Sequence, residues 1–326
     1  MNALYLVRRN GVGGHFAACG IAVRAAMLTV SVGAALLLTA CREIDTAPAY
    51  APTLSTAPMA ARLPTYSFGV APLENFRHIF ALYQPIVDHL NARLVNARLV
   101  LEVPRALDDH QRLLHEQRYA FALANPYYVW QSAHHDGYRV IAKMDDDAAF
   151  HGVLVVRRDS GITRLGDLKG KTICYPPPSA LAATMLTRFN LQQHGFDLQR
   201  DLHERFVASQ HASIMQVYQG QAQAGATWPL AWLSFQQLHP QEAAALEVRF
   251  PTAPLINLGL VARADVPIGL ARQVATLLAE LDQSSEGRAM LARLPLSRFT
   301  TARTADYDRV GSFVSLYRRT IRVEAP

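Results

Sequence analysis

An α/β architecture with mostly parallel strands is predicted for the folded part of this chain, on three observations. From Tyr66 onward, short runs rich in β-branched and aromatic residues alternate with helical periodicities of roughly ten to fifteen residues. Strand-like runs end in turn chemistry before a helix opens, as at Ala71-Pro72, Asn125-Pro126 and Pro176-Pro177-Pro178. No repeat of solenoid length interrupts this alternation.

The elements follow in order. Tyr66–Ala71 reads as a short strand closed by Pro72. Phe76, Ile79, Phe80, Tyr83, Val87, Leu90 and Leu94 recur at helical spacing, which predicts a helix over 76–94 in spite of Pro85. Strand 97–103, helix 108–117, strand 119–124 and helix 127–135 come next, followed by strands 139–144 and 151–157. A turn at Leu165–Lys171 leads into strand Thr172–Tyr175. Ser179 is placed to cap a helix running from Ala180 to about His194. Strand 204–208, helix 211–219 and strands 222–227, 246–250 and 255–263 follow, and helices near 267–281, 284–293 and 304–319 end the chain.

Residues 1–40 carry Arg8, Arg9 and Arg24 and no acid. Ala25–Ala40 is an uncharged apolar run, short for a membrane span, which needs about 20 residues. A positive stretch, a short apolar core and small terminal residues describe a secretory signal peptide over 1–40. It ends in Leu38-Thr39-Ala40-Cys41, which resembles the bacterial lipobox, so Cys41 is expected to be lipidated and to become the N-terminus. The Ala-, Pro- and Thr-rich segment through residue 65 then serves as a flexible tether over 41–65. Removing the signal takes away three arginines and no acid, so the net charge falls from +6 to +3. With the remaining basic residues scattered, no nucleic-acid partner is expected. Cys19 goes with the signal and Cys41 is acylated. Cys174 is then left alone, as a small buried hydrophobe, and neither a disulfide framework nor a cysteine zinc site is possible.

Motifs for other functions fail on spacing. Gly170-Lys171-Thr172 resembles the end of a phosphate-binding loop. However, Gly166 lies too close, and the segment enters a strand instead of opening a helix. His115-Glu116 and His203-Glu204 lack the second histidine of a zinc helix, and His134-His135 diverge on a helix. No serine sits in a nucleophile elbow. The expectation is a binding protein with no enzyme activity, metal or cofactor.

Four stretches make the chain similar to a known family. They are Phe68-Gly69-Val70-Ala71-Pro72 with Tyr83-Gln84-Pro85-Ile86-Val87; Ala122-Leu123-Ala124-Asn125-Pro126-Tyr127-Tyr128; His151–Ile162, ending "RDSGI", with Leu165–Lys171, "LGDLKGK"; and Ser209-Gln210-His211 with Val217–Ala226. Together they resemble the substrate-binding proteins of phosphate, phosphite and phosphonate ABC transporters over roughly residues 66–300. The resemblance implies a two-lobed, type II periplasmic-binding-protein-like fold with a ligand cleft between the lobes. Lobe one is placed at 66–156 and 255–326 and lobe two at 157–254, with crossings near Arg157–Ser160 and Pro251–Pro254. It also implies a monomeric extracytoplasmic lipoprotein that captures a small anionic ligand by lobe closure and delivers it to an ABC permease. A periplasmic sensory receptor signalling through a histidine kinase or cyclase needs the same closure, so the sequence leaves both open.

Ligands in open α/β sheets bind beyond the carboxyl ends of strands. That rule gathers Ala71 and Pro72; Asn125 and Tyr127; Ser179 with the amides of Ala180 and Leu181; and Thr227 with Trp228. The resemblance adds Phe150, His151 and His211. Where the family carries a Ser-Thr-Ser-Gly run, this chain has Ser179-Ala180-Leu181-Ala182, so one hydroxyl stands in place of three. A helix N-terminus can still hold an anion through its free N–H groups. The family's tyrosine after the second strand falls near Ala106 or Leu107. Trp228 and Trp232 suggest an aromatic cleft wall. For the anchor, Cys41→Ala is expected to move the protein from the membrane to the soluble fraction or to block processing, read by fractionation and intact mass. An unchanged, membrane-bound mature mass would contradict it.

Overall fold

The computed structural model describes residues 63–72, 76–294 and 296–321. The expected signal peptide, the lipidated Cys41 and the tether through Arg62 lie outside the described residues. The chain starts with β1 (Thr65–Val70), α1 (Phe76–Asn91), β2 (Arg98–Glu102), α2 (Leu107–His115), β3 (Phe121–Ala124), α3 (Pro126–His135) and β4 (Tyr138–Met144). Then come β5 (Val153–Arg157) and β6 (Lys171–Tyr175). A π-helical stretch, Leu181–Leu186, continues into α4 (Thr187–Gln193). Next are α5 (Leu198–Asp201), β7 (Leu202–Phe206), α6 (Gln210–Tyr218), β8 (Ala224–Thr227), α7 (Pro229–Leu238), α8 (Pro240–Ala244) and β9 (Leu246–Arg249). The chain returns through β10 (Gly259–Arg263), α9 (Ile268–Ala279), α10 (Ser285–Arg293), β11 (Phe299–Thr301) and α11 (Asp308–Thr320).

Two sheets result, with strand orders β11-β4-β10-β3-β1-β2 and β7-β6-β8-β5-β9. The expected parallel pairing holds for β2–β1–β3 and for β7–β6–β8. The strands nearest the crossings, β10 and β5, enter antiparallel to their neighbours, so each sheet is mixed. Helices cover both sheets, and this is the two-lobed α/β fold the sequence predicts.

One boundary moves. Val153–Val156 are fully buried and pair with β8 and β9 of the second sheet. The first crossing therefore runs over 145–152, before β5. Arg157–Ser160, expected to be that crossing, is a surface turn in which the Arg157 guanidinium grips Asp159. The second crossing occupies 250–258, and Leu255–Leu258, expected as strand, belong to it. Sequence reading also missed α7 and β11. α7 is bracketed by Pro229 and Pro240 and carries apolar residues on several faces, so it shows no clean stripe. Cys174 is free and fully buried, and burial pushes its thiol up.

The two crossings are stitched together. Gly152 N donates to Thr252 Oγ1, Thr252 N donates to Gly152 O and Leu255 N donates to Phe150 O, each at 2.9 Å. Asn257 is buried, and its carboxamide donates to the carbonyls of Asp145 and Asp146 and accepts from Leu258 N. Each crossing also holds a non-glycine residue at positive φ, Asp146 at 63° and Phe250 at 53°. Asn257→Ala orphans the Asp145 carbonyl and the buried Leu258 N–H, while the Asp146 carbonyl keeps its bond from Ala149 N. It is expected to cost about 2–4 kcal/mol in denaturant unfolding, and a loss under about 0.5 kcal/mol would show that the stitch is not structural.

Candidate functional site

The carboxyl ends of β3, β6 and β8 open onto one space between the sheets. A small cavity open to solvent lies there. Lobe one contributes Leu107 and Asn125, lobe two contributes Ala180–Ala183, Gln210 and Trp228, and Phe150 and Leu258 come from the first and second crossings. No charged side chain among the described residues lines it.

Its polar groups are built locally. The helix over 181–193 leaves its first N–H groups without intrahelical partners, and this first turn lines the cavity. All six π-helical residues are buried, and Thr184 Oγ1 donates to the carbonyls of Pro176 and Pro177, tying the triple-proline segment to the helix. Asn125 caps α3, where Oδ1 accepts from the N–H of Tyr127 and Tyr128. That role uses its oxygen and leaves the amide N–H₂ for the cavity. Gln210 repeats the arrangement, because Thr227 Oγ1 donates to its Oε1 at 3.1 Å. The apolar wall is Trp228, edge-on to Phe150 with centroids 5.4 Å apart.

Of the residues singled out from sequence, Asn125, Phe150, Ala180, Leu181 and Trp228 meet at this cavity. Thr227 stands behind it, fully buried, orienting Gln210. The others are placed differently. Ser179 does not cap the helix. Ala180 is the N-cap residue, without a side-chain cap, and the Ser179 hydroxyl accepts from Gln111 Nε2 of lobe one at 2.9 Å. Tyr127 bonds Arg318 through its hydroxyl. His151 turns its Nδ1 to Ala148 O on the crossing. Ala71 is buried at the end of β1, and neither it nor Pro72 lines the cavity. Trp232 stacks on Phe235 in the second lobe's own core, away from the cleft.

His211 is the main correction. α6 starts at Gln210, one residue earlier than expected, so Gln210 takes the cleft position. The His211 ring packs edge-on against Phe235 and His239. Burial there, with His239 beside it, pushes its pKa down to about 4, so it is neutral and offers an anion no charge near pH 7. Leu107 takes the place near which the family's tyrosine falls. Gln210 precedes His211 in the sequence, and only the helix register separates the two.

Residues 68–307 match the family described as the periplasmic substrate-binding protein of the phosphonate ABC transporter. The chain belongs to this family. Two solved structures of such substrate-binding proteins share its fold. One is the binding-protein component of an ABC phosphonate transporter from Pseudomonas aeruginosa. It has a TM-score of 0.71 at 13% identity, over 79% of this chain and 88% of that one. The other is PhnD1 from Prochlorococcus marinus in complex with methylphosphonate, with a TM-score of 0.70 at 17% identity over 79% and 99%. In sequence, 176 residues are 25% identical to the tetrathionate sensor histidine kinase TtrS of Salmonella typhimurium, covering 52% of this chain and 30% of the kinase. Phosphonate-transporter substrate-binding proteins are periplasmic, and no helix among the described residues is long and apolar enough to cross a membrane.

His110, fully buried, and His211, half-buried, are expected to make the fold of this family member acid-sensitive. Burial lowers His110 to about 3, as it lowers His211 to about 4. In the unfolded chain both return to the ordinary value near 6.5. The unfolded state therefore binds more protons below that value, and stability falls as pH drops from about 6.5 toward 4. Denaturant unfolding at about pH 7.5 and 5 is expected to show this loss, and His110→Leu is expected to flatten it. An equal slope in the variant would count against the assignment.

Proposed function

We propose that this chain is the solute-binding component of an ABC importer, anchored by lipid at Cys41, and that it captures a small, singly charged organic oxyanion. The observation that carries this reading is the composition of the interlobe cavity. A helix N-terminus and two spare carboxamides supply hydrogen-bond donors from both lobes, and no charged side chain is present among the described residues. A helix terminus carries roughly half an elementary charge, which suits one negative charge better than two. Phe150, Trp228 and Leu258 supply an apolar wall for a carbon substituent. The methylphosphonate complex of the Prochlorococcus protein supports the same ligand class. A ligand touching Asn125 on one lobe and Gln210 on the other favours the closed state, which is what an importer's receptor needs.

The second reading is a sensory receptor, favoured by the stretch shared with the tetrathionate sensor kinase. Loss of ligand uptake on gene deletion supports the importer. Retained uptake with loss of a transcriptional response supports the receptor.

Calorimetry with methanesulfonate and with phosphate tests the site. Methanesulfonate is expected to bind more tightly, and Asn125→Ala and Gln210→Ala are each expected to weaken it by about 1 kcal/mol or more. Tighter phosphate binding, or two variants that bind like the parent, would overturn the reading.

A further inference from the structure

A second pocket lies on the seam between the lobes. It shares only Trp228 with the cleft already described. Its apolar side is Ile79 and Leu82 of α1 with Leu294, all buried. Its polar groups are Ser234 and Gln237 of α7, spaced i and i+3, Arg293 at the end of α10, and His78 and Tyr83 of α1.

Two features there need a partner. Ser234 is 6% exposed, and its Oγ has no hydrogen-bond partner. A helical serine ordinarily turns its hydroxyl back to the carbonyl four residues earlier, and buried hydroxyls are rarely left unpaired. Arg293 is exposed and makes no ion pair or side-chain hydrogen bond among the described residues. Other arginines on this surface hold carboxylates, as Arg263 holds Asp265 and Arg298 holds Asp145.

We infer that this cavity is a separate binding site for a short aliphatic carboxylate. The acid group pairs with Arg293 and accepts from Ser234 Oγ and the Gln237 amide, and the alkyl chain lies on Ile79, Leu82 and the outer face of Trp228. An inorganic oxyanion would leave that apolar side empty. A neutral alkane would leave both Ser234 and Arg293 unanswered. The site is distinct from the cleft and does not depend on the ligand class read there.

Hexanoate is the probe, titrated into the mature protein by calorimetry. The parent is expected to bind it at one site. Arg293→Gln, at an exposed position, and Ser234→Ala are each expected to weaken binding about tenfold. Asn125→Ala, across the Trp228 wall, is expected to leave hexanoate affinity unchanged. No hexanoate binding by the parent overturns the inference. So does unchanged affinity in both seam variants, and so does loss of binding in Asn125→Ala, which would put hexanoate in the cleft.

Discussion

The contact on which the rest of this structure depends is the one between Gly152 and the start of the cleft helix. A methyl group at Gly152 would lie 2.4 Å from Ala182 O and 2.5 Å from Thr187 Oγ1. Only glycine lets the crossing chain pass that close. At the same residue both backbone groups are tied to Thr252 of the returning chain. One position therefore fixes the two crossings to each other and fixes the helix against them. The first turn of that helix lines the interlobe cavity, so the crossings and the candidate site share one geometric constraint. The π-helical start fits this crowding. It widens the turn where the chain must clear the crossing, and such distortions gather at functional sites.

The sequence carried the architecture because patterning and breakers agreed. The Phe121–Ala124 run, the Pro176–Pro178 stop and the glycine at Gly170, φ 72°, each point to one conformation. It did not reveal which sheet owns β5. A strand buried on both faces looks the same in either lobe, and only pairing with β8 and β9 decides. Site residues were legible where a strand end forces position, as at Asn125 and Trp228. They were not legible where one residue of helix register decides, as between Gln210 and His211. A capping serine before an apolar helix is a fair reading of Ser179, but tertiary contact with Gln111 takes the hydroxyl instead.

The cleft's polar groups follow one pattern. Asn125 and Gln210 each use their carbonyl oxygen inside the protein and keep their N–H₂ for the cavity. The side chains are held in place by the same bonds that fix which atom faces inward, so donors are presented without an ordering cost at binding. No acceptor is offered by either group. Donors set in an apolar surround match a ligand that brings acceptors, in keeping with the oxyanion proposed above. Full charges are absent from the lining, so selectivity rests on hydrogen-bond number and shape more than on long-range attraction.

The seams between the lobes also bear on closure. Near the cleft mouth, Gln111 and Ser179 make one neutral hydrogen bond. On another face, Arg188 donates to Tyr317 Oη while its other nitrogens hold Glu204 of its own lobe at 2.8 Å, and Phe189 meets Phe313 edge-on. Opening at the first contact exposes two polar groups that water can satisfy, at small cost. At the second, Arg188 keeps its carboxylate partner when Tyr317 leaves, so no buried charge is stranded and the larger penalty of a broken buried pair is avoided. Neither contact is an ion pair between the lobes, so parting them strands no buried charge. A ligand that bridges the lobes must supply the difference between open and closed states, and its own contacts set how far the balance moves.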